Sequence, residues 1–235
     1  MTQRSLPAMR CALAALLALA ACSTPTIKYA SEKPTEDGLY LVRSAPSHNV
    51  YMRPGARIQN YTAVVVDPFM VSYAMASDVG DAGPAQVRTL DPEAEARLTG
   101  TLRDAFIQEM KRSRYYRLVE APGPEVLRVQ GWIYELVIDE PYRGDPRNFP
   151  LCFGTMNLIL AVRDSLTAQA LARVTHRIAV SCELSSNRLF YTASWLGTKR
   201  AFRPWASFLR VSLDELHEIP DLPAAPEEQQ PLPVR

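Results

Sequence analysis

The chain has 235 residues, 26 Lys and Arg against 25 Asp and Glu, and a formal charge of +1. That balance, with no basic run interleaved with aromatics, excludes a nucleic-acid partner drawn in by the protein's field. The length suffices for one domain with a sizeable core and is short for two.

Residues 1–21 carry Arg4 and Arg10, no acid, and an apolar run from Ala12 to Leu19. This is the layout of a secretory signal peptide, and the run is too short to span a bilayer. It ends in Leu19-Ala20-Ala21-Cys22, which resembles a bacterial lipobox. Small side chains admit the peptidase, and a thiol is the nucleophile that accepts a lipid. The resemblance implies cleavage before Cys22 and acylation of that residue with palmitate-type chains. At about 0.8 kcal/mol per buried methylene, three such chains exceed what stable anchoring requires. Ser23, where an Asp would retain the protein in the inner membrane, implies the outer membrane and a periplasmic orientation. Loss of Arg4 and Arg10 takes the formal charge from +1 to −1. No later apolar segment is long enough for a second membrane attachment.

Residues 22–57 are polar and broken by Pro25, Pro34, Gly38, Pro46, Pro54 and Gly55, as expected of a flexible tether. The single domain is expected over 58–218. "YTAVVVDPF" (61–69) is an apolar run ended by Pro68 and reads as a buried strand, followed by a loop over 71–87. A helix is expected from Asp91, which can cap it. Pro92 suits the first turn, Glu93 and Glu95 complement the dipole, and Leu98, Leu102, Ala105, Phe106 and Met110 form one stripe. "YYRLVE" and "VLRVQGWIYELVI" read as two strands of a hairpin joined at Pro122-Gly123-Pro124. A second hairpin follows, "TMNLILAVRDS" (155–165) and "LARVTHRIAVS" (171–181), around "LTAQA". A second helix is expected to open at Pro204 and end before Pro220, and the Pro-rich tail 219–235 is expected to be disordered. This order implies an α+β fold, an antiparallel sheet with two helices packed on one face.

Two thiols remain beyond Cys11 and Cys22. A turn centred on Thr167 places Cys152 and Cys182 at equal distances on the two strands, hence opposite each other. In an oxidising compartment this favours a structural disulfide over two reduced core cysteines. No CxxC suggests redox activity.

"YYRLVEAPGPEVLRVQGWIYEL", "LAVRDSLTAQALARVTHR" and "RAFRPWASFLRVSLDEL" resemble, in that order and spacing, the bacterial lipoproteins of the domain-of-unknown-function 3313 family, over about residues 60–217. The resemblance implies an envelope lipoprotein. It supplies no catalytic residues.

The chain shows no HExxH, GxSxG, SxxK, GxGxxG or P-loop pattern, and its three histidines, His48, His176 and His217, have no metal-ligand spacing. No metal or cofactor is therefore expected. Asp139 and Glu140 are adjacent but fall on opposite faces of a strand. Arg200, Arg203 and Arg210 could line an anion site, against the plainer reading of a solvated helix face. Trp132, Trp195 and Trp205 could stack on sugars, with core packing the default. Two functions follow. The favoured one is a non-enzymatic, outer-membrane-anchored periplasmic lipoprotein that binds an envelope protein or scaffolds an assembly. The alternative is an envelope ligand-binding or hydrolytic protein acting on cell-wall or lipid material. A polar pocket at His176 or at Arg200–Arg210 would favour the alternative, and an apolar patch or open sheet edge the first.

Overall fold

The structure, a computed structural model, describes residues 27–46, 48–73, 89–136, 155–179 and 195–226, with the backbone alone at 155, 178, 179 and 195–201. Eight strands and two long helices follow one another as β1 (Tyr40–Ala45), β2 (His48–Met52), β3 (Ala63–Val66), β4 (Met70–Tyr73), α1 (Pro92–Met110), β5 (Arg117–Leu118), β6 (Val126–Leu136), β7 (Thr155–Asp164), β8 (Ala170–Ala179) and α2 (Trp195–His217). They form an α+β domain around one sheet, in the order β1-β2-β8-β7-β6-β3-β5, with β4 also paired to β6.

The sheet is mixed rather than wholly antiparallel: β3 and β4 run parallel to β6, and β5 runs parallel to β3. The expected hairpin of β5 and β6 is therefore replaced by an arrangement in which β3 lies between them. The composition of β3 explains this. Ala63, Val64, Val65 and Val66 are all buried, and an unbroken apolar run suits an inner strand with parallel neighbours better than an edge. Pro122 and Pro124 carry no N–H with which to start an antiparallel ladder at the turn. Instead Glu125 O accepts from Thr62 N and Ala63 N, and Thr62 O accepts from Arg117 N.

β3 and β4 are consecutive stretches against one partner, interrupted at Asp67-Pro68-Phe69. Asp67 Oδ2 accepts from Arg128 Nε at 2.7 Å and Gln130 Nε2 at 3.0 Å, while Phe69 turns inward over Gly131. α1 follows its sequence pattern: Asp91 Oδ1 accepts from Ala94 N at 2.8 Å, and Leu98, Leu102, Phe106 and Met110 are fully buried. Arg103 donates twice to Val66 O and fixes the helix to β3. α2 begins earlier than expected, so Pro204 lies within it. Only the Arg200 carbonyl loses an intrahelical donor there. Its Phe202, Trp205, Ala206, Leu209 and Leu213 join one core with Val64, Val66, Leu127, Val129, Ile133, Leu158 and Leu160.

The β7/β8 ladder has the register expected from the sequence, from Val162↔Ala172 out to Thr155↔Ala179, with one shift next to the turn. Asp164 closes that turn by accepting from Leu166 N, Thr167 N and Thr167 Oγ1, and Tyr61 OH donates to it across the fold. These bonds, the Thr167 amide first, hold its carboxyl below the ordinary value of 3.8.

The tether and tail differ from expectation. Residues 40–52 form β1 and β2 and extend the sheet, and Leu39, Met52, Ala56 and Ile58 are buried. Part of the tail docks as well. Leu222 is buried, and Pro223 O accepts from Gly55 N at 3.1 Å and Tyr29 OH at 3.0 Å. Pairing β2 to β8 satisfies an otherwise open edge, which outweighs the weak apolar signal of these segments.

Candidate functional site

Alternate residues of the central strands that do not enter the main core share the opposite face of the sheet. On it Met70, Trp132, Ile159, Thr175, Asn49 and Ser44 lie opposite one another in turn, a row across six strands. Trp132, Ile159, Thr175 and Asn49 are half-buried, and Met70 is 51% exposed. The neighbouring row holds Gln130, Ala161, Arg173, Tyr51 and Leu41. Arg173 stacks over the Tyr51 ring at 5.1 Å and pairs with Asp37 at 3.3 Å.

Toward the other end of the sheet, the strict alternation of β6 breaks. Val71 faces Ile133 and Tyr73 faces Leu136, so β6 carries one residue more than β4 between these pairs. The left-handed backbone of Glu135 (φ 51°) marks the bulge. Its effect is visible on both sides. Leu136 returns to the core, 1% exposed, and the Glu135 carboxylate swings to the Asn157 amide, where Oε2 accepts from Nδ2 at 2.7 Å. Asn157 is itself flanked in register by Tyr134 and Arg177.

These side chains line a cleft of about 260 Å³ with Asn49, Thr175, His48 and His176. The lining mixes a carboxylate, an amide, a guanidinium, hydroxyls and an aromatic ring, which suits binding of a small polar molecule by directed hydrogen bonds. His48 and His176 also line it; paired with each other and in register with core residue Leu158, they turn their rings to the helix side of the sheet, 5.8 Å apart. Trp205 of α2 lies 5.3 Å from His176 and Phe208 lies 5.8 Å from His48. Burial first, and the like charge of His48 second, hold the His176 imidazole below its ordinary value of 6.5.

The other sequence candidates are dispersed. Arg203 Nε and Arg210 Nε approach the two oxygens of buried Glu109 at 3.4 and 3.6 Å, and Arg210 also pairs with Asp214 at 3.1 Å. Their charge is thus matched at the α1–α2 contact, and the Arg200 side chain lies outside the described residues. Trp205 is core and Trp132 lies on the face of the sheet away from the main core; the Trp195 side chain is not described. His217 stacks on Tyr115 at 4.2 Å near the end of α2. Cys22, Cys152, Cys182, Asp139 and Glu140 fall outside the described residues. Among the described residues no three His, Cys, Asp or Glu side chains are placed to hold a metal ion, and no helix is long and apolar enough to cross a membrane. The cleft residues Tyr134, Glu135, Asn157, Thr175 and Arg177 were not sequence candidates. One signal was present: Asn157 is a lone amide within the apolar stretch 156–162 of β7, and buried amides need partners.

No curated protein matches this chain. Among solved structures, the PelC dodecamer from Paraburkholderia phytofirmans is 11% identical over 72% of this chain and 97% of that one, with a TM-score of 0.33. Protein XCC0632 from Xanthomonas campestris, of the DUF330 family, is 12% identical over 70% and 92%, with a TM-score of 0.40. Likenesses of this degree carry no functional argument. A family model described as a protein of unknown function, DUF3313, matches residues 40–177, from the first residue of β1 to within β8. That is more than half of the sequence, and this chain belongs to the DUF3313 family.

Proposed function

We propose that this protein is a lipid-anchored envelope protein that works by binding rather than catalysis. Cys22 carries the lipid, the domain faces the periplasm from the outer membrane, and an envelope protein docks on the sheet. The observation that carries the reading is the row from Met70 to Ser44, a broad half-buried surface spanning six strands. With the neighbouring row it presents Trp132, Tyr51, Ile159 and Arg173, the composition of contact surfaces, where aromatic and Arg side chains are enriched. Both helices packed on the far face would leave this one open. A Cys152–Cys182 disulfide would brace the far end of the β7/β8 hairpin. The polar cleft beside His176 supports a second reading, binding of a small polar envelope ligand.

The test is cross-linking of intact cells that express the full-length protein with an affinity handle, with Cys22→Ala as control. One defined envelope protein captured by the wild type alone supports the reading. Equal capture by both forms, or none by a well-expressed wild type, contradicts it.

A further inference from the structure

We infer that the cleft at the β6 bulge is a saccharide site and that it takes a sugar unit bearing a carboxylate. This rests on the second reading above and goes further by assigning the ligand's chemistry. The size of the cleft sets the first limit. At about 260 Å³ it lies below the roughly 300–1,000 Å³ of sites for drug-sized ligands, which suits one sugar ring with its substituents.

The polar groups set the second limit. A sugar hydroxyl both donates and accepts, so a site for it needs fixed partners of both kinds. Glu135 accepts, Thr175 does both, and Asn157 supplies an amide carbonyl and N–H groups. The Asn157–Glu135 hydrogen bond at 2.7 Å and the 8% exposure of Asn157 hold two of these groups in place before any ligand arrives. Pre-set polar groups lower the entropy lost on binding. The bulge that aims Glu135 keeps a non-glycine residue in a left-handed conformation, a local strain of the kind retained at functional positions. Tyr134 adds an aromatic ring for the apolar C–H side of a sugar.

The third limit is charge. Arg177 is an exposed guanidinium in direct register with Asn157, on the side of that residue away from Tyr134. Its planar fork matches a carboxylate in two hydrogen bonds. Arg177 supplies the guanidinium of this lining that an acidic substituent would meet. Glu135 lies toward the β6 side, where it repels the acid and favours an orientation that directs the carboxylate to Arg177.

The full-length protein, solubilised in detergent, is titrated with N-acetylmuramic acid and separately with N-acetylglucosamine, which lacks the lactyl carboxylate, and binding is read by ligand-observed NMR. Saturable binding of the acid is expected, with N-acetylglucosamine about tenfold weaker. Arg177→Gln should weaken the acid by about tenfold and leave N-acetylglucosamine unchanged. Asn157→Leu should weaken both sugars. If Asn157→Leu does not fold, exposed Arg177 still carries the test. No saturable binding of either sugar, or equal binding of the acid by wild type and Arg177→Gln, overturns the assignment. Equal affinity of the wild type for both sugars overturns the carboxylate. A protein partner still captured through the open face while both sugars fail would separate the failure of this inference from the failure of the partner reading.

Discussion

Gly131→Ala isolates the contact that makes the break between β3 and β4 possible. A Cβ built at Gly131 falls 2.7 Å from Phe69 Cε2 and 2.8 Å from Cδ2 and Cζ, whereas ordinary contact is 3.4–4 Å. The Phe69 ring has little room to retreat, being 5% exposed and tilted against Phe106 with centroids 5.2 Å apart. Overpacking of this kind costs about 1–3 kcal/mol, and replacing a strand glycine by alanine returns roughly 0.5–1 kcal/mol of chain entropy. The net is a loss of about 1–2 kcal/mol, which lowers Tm by roughly 2–8 °C for a chain of this size. Urea unfolding followed by tryptophan fluorescence measures it, with an unchanged m-value as the condition for comparing midpoints. Gly123→Ala is the internal control, because its Cβ meets only Val126 Cγ2 at an ordinary 3.6 Å. Phe69→Leu in the Gly131→Ala background should recover part of the loss, a coupling of about 1 kcal/mol. Equal stability of Gly131→Ala and Gly123→Ala, or additivity with Phe69→Leu, refutes the reasoning.

Glu109→Gln removes the buried carboxylate shared by Arg112, Arg203 and Arg210 and should cost about 1–3 kcal/mol in urea unfolding. The lower end follows if the exposure of Arg112 and Arg203 screens their share. His176 is harder to protonate in the fold than in the unfolded chain, so its contribution to stability is complete above pH 6.5 and is lost as pH falls from there through its folded value. Unfolding midpoints at pH 8, 6.5 and 5 should decline, and less steeply in His176→Gln. Asp164 acts at lower pH, its contribution disappearing as pH falls below 3.8, which Asp164→Asn should flatten. The β7/β8 register is constant from Val162↔Ala172 out to Thr155↔Ala179, and in the sequence Cys152 and Cys182 each stand three residues further on. Alkylation of periplasmic protein should therefore find neither thiol free without reductant, and Cys152→Ser should cost about 2–4 kcal/mol.

Elements specified by local chemistry were legible in the sequence. Asp91-Pro92 and the stripe from Leu98 to Met110 fix α1 within a single stretch of chain, and the Asp164 turn sets the β7/β8 register by its own hydrogen bonds. Features decided between distant segments were not. The valines of β3 indicate burial, but the choice of parallel β6 over antiparallel β5 is made by packing across the domain. β1 and β2 have half-exposed residues on both faces and surround Pro46, so their apolar pattern is weak, and the pairing of β2 with β8 supplies what their composition does not. The cleft depends on the bulge at Glu135, which exists only relative to the register of β4 and β6. Leu222 likewise resembles any residue of a Pro-rich tail until the surface near Gly55 is there to receive it.

The proposed working surface is the face of the sheet away from the main core, and site-specific photo-cross-linking in intact cells tests this most directly. A photoreactive residue is placed at Met70, 51% exposed in the six-strand row, or at Val211, 38% exposed on α2, in full-length protein with and without Cys22→Ala. A discrete adduct at Met70 that disappears with Cys22→Ala, and none at Val211, is the predicted result. An adduct at Val211 alone, no adduct at either position, or a Met70 adduct indifferent to Cys22 contradicts it.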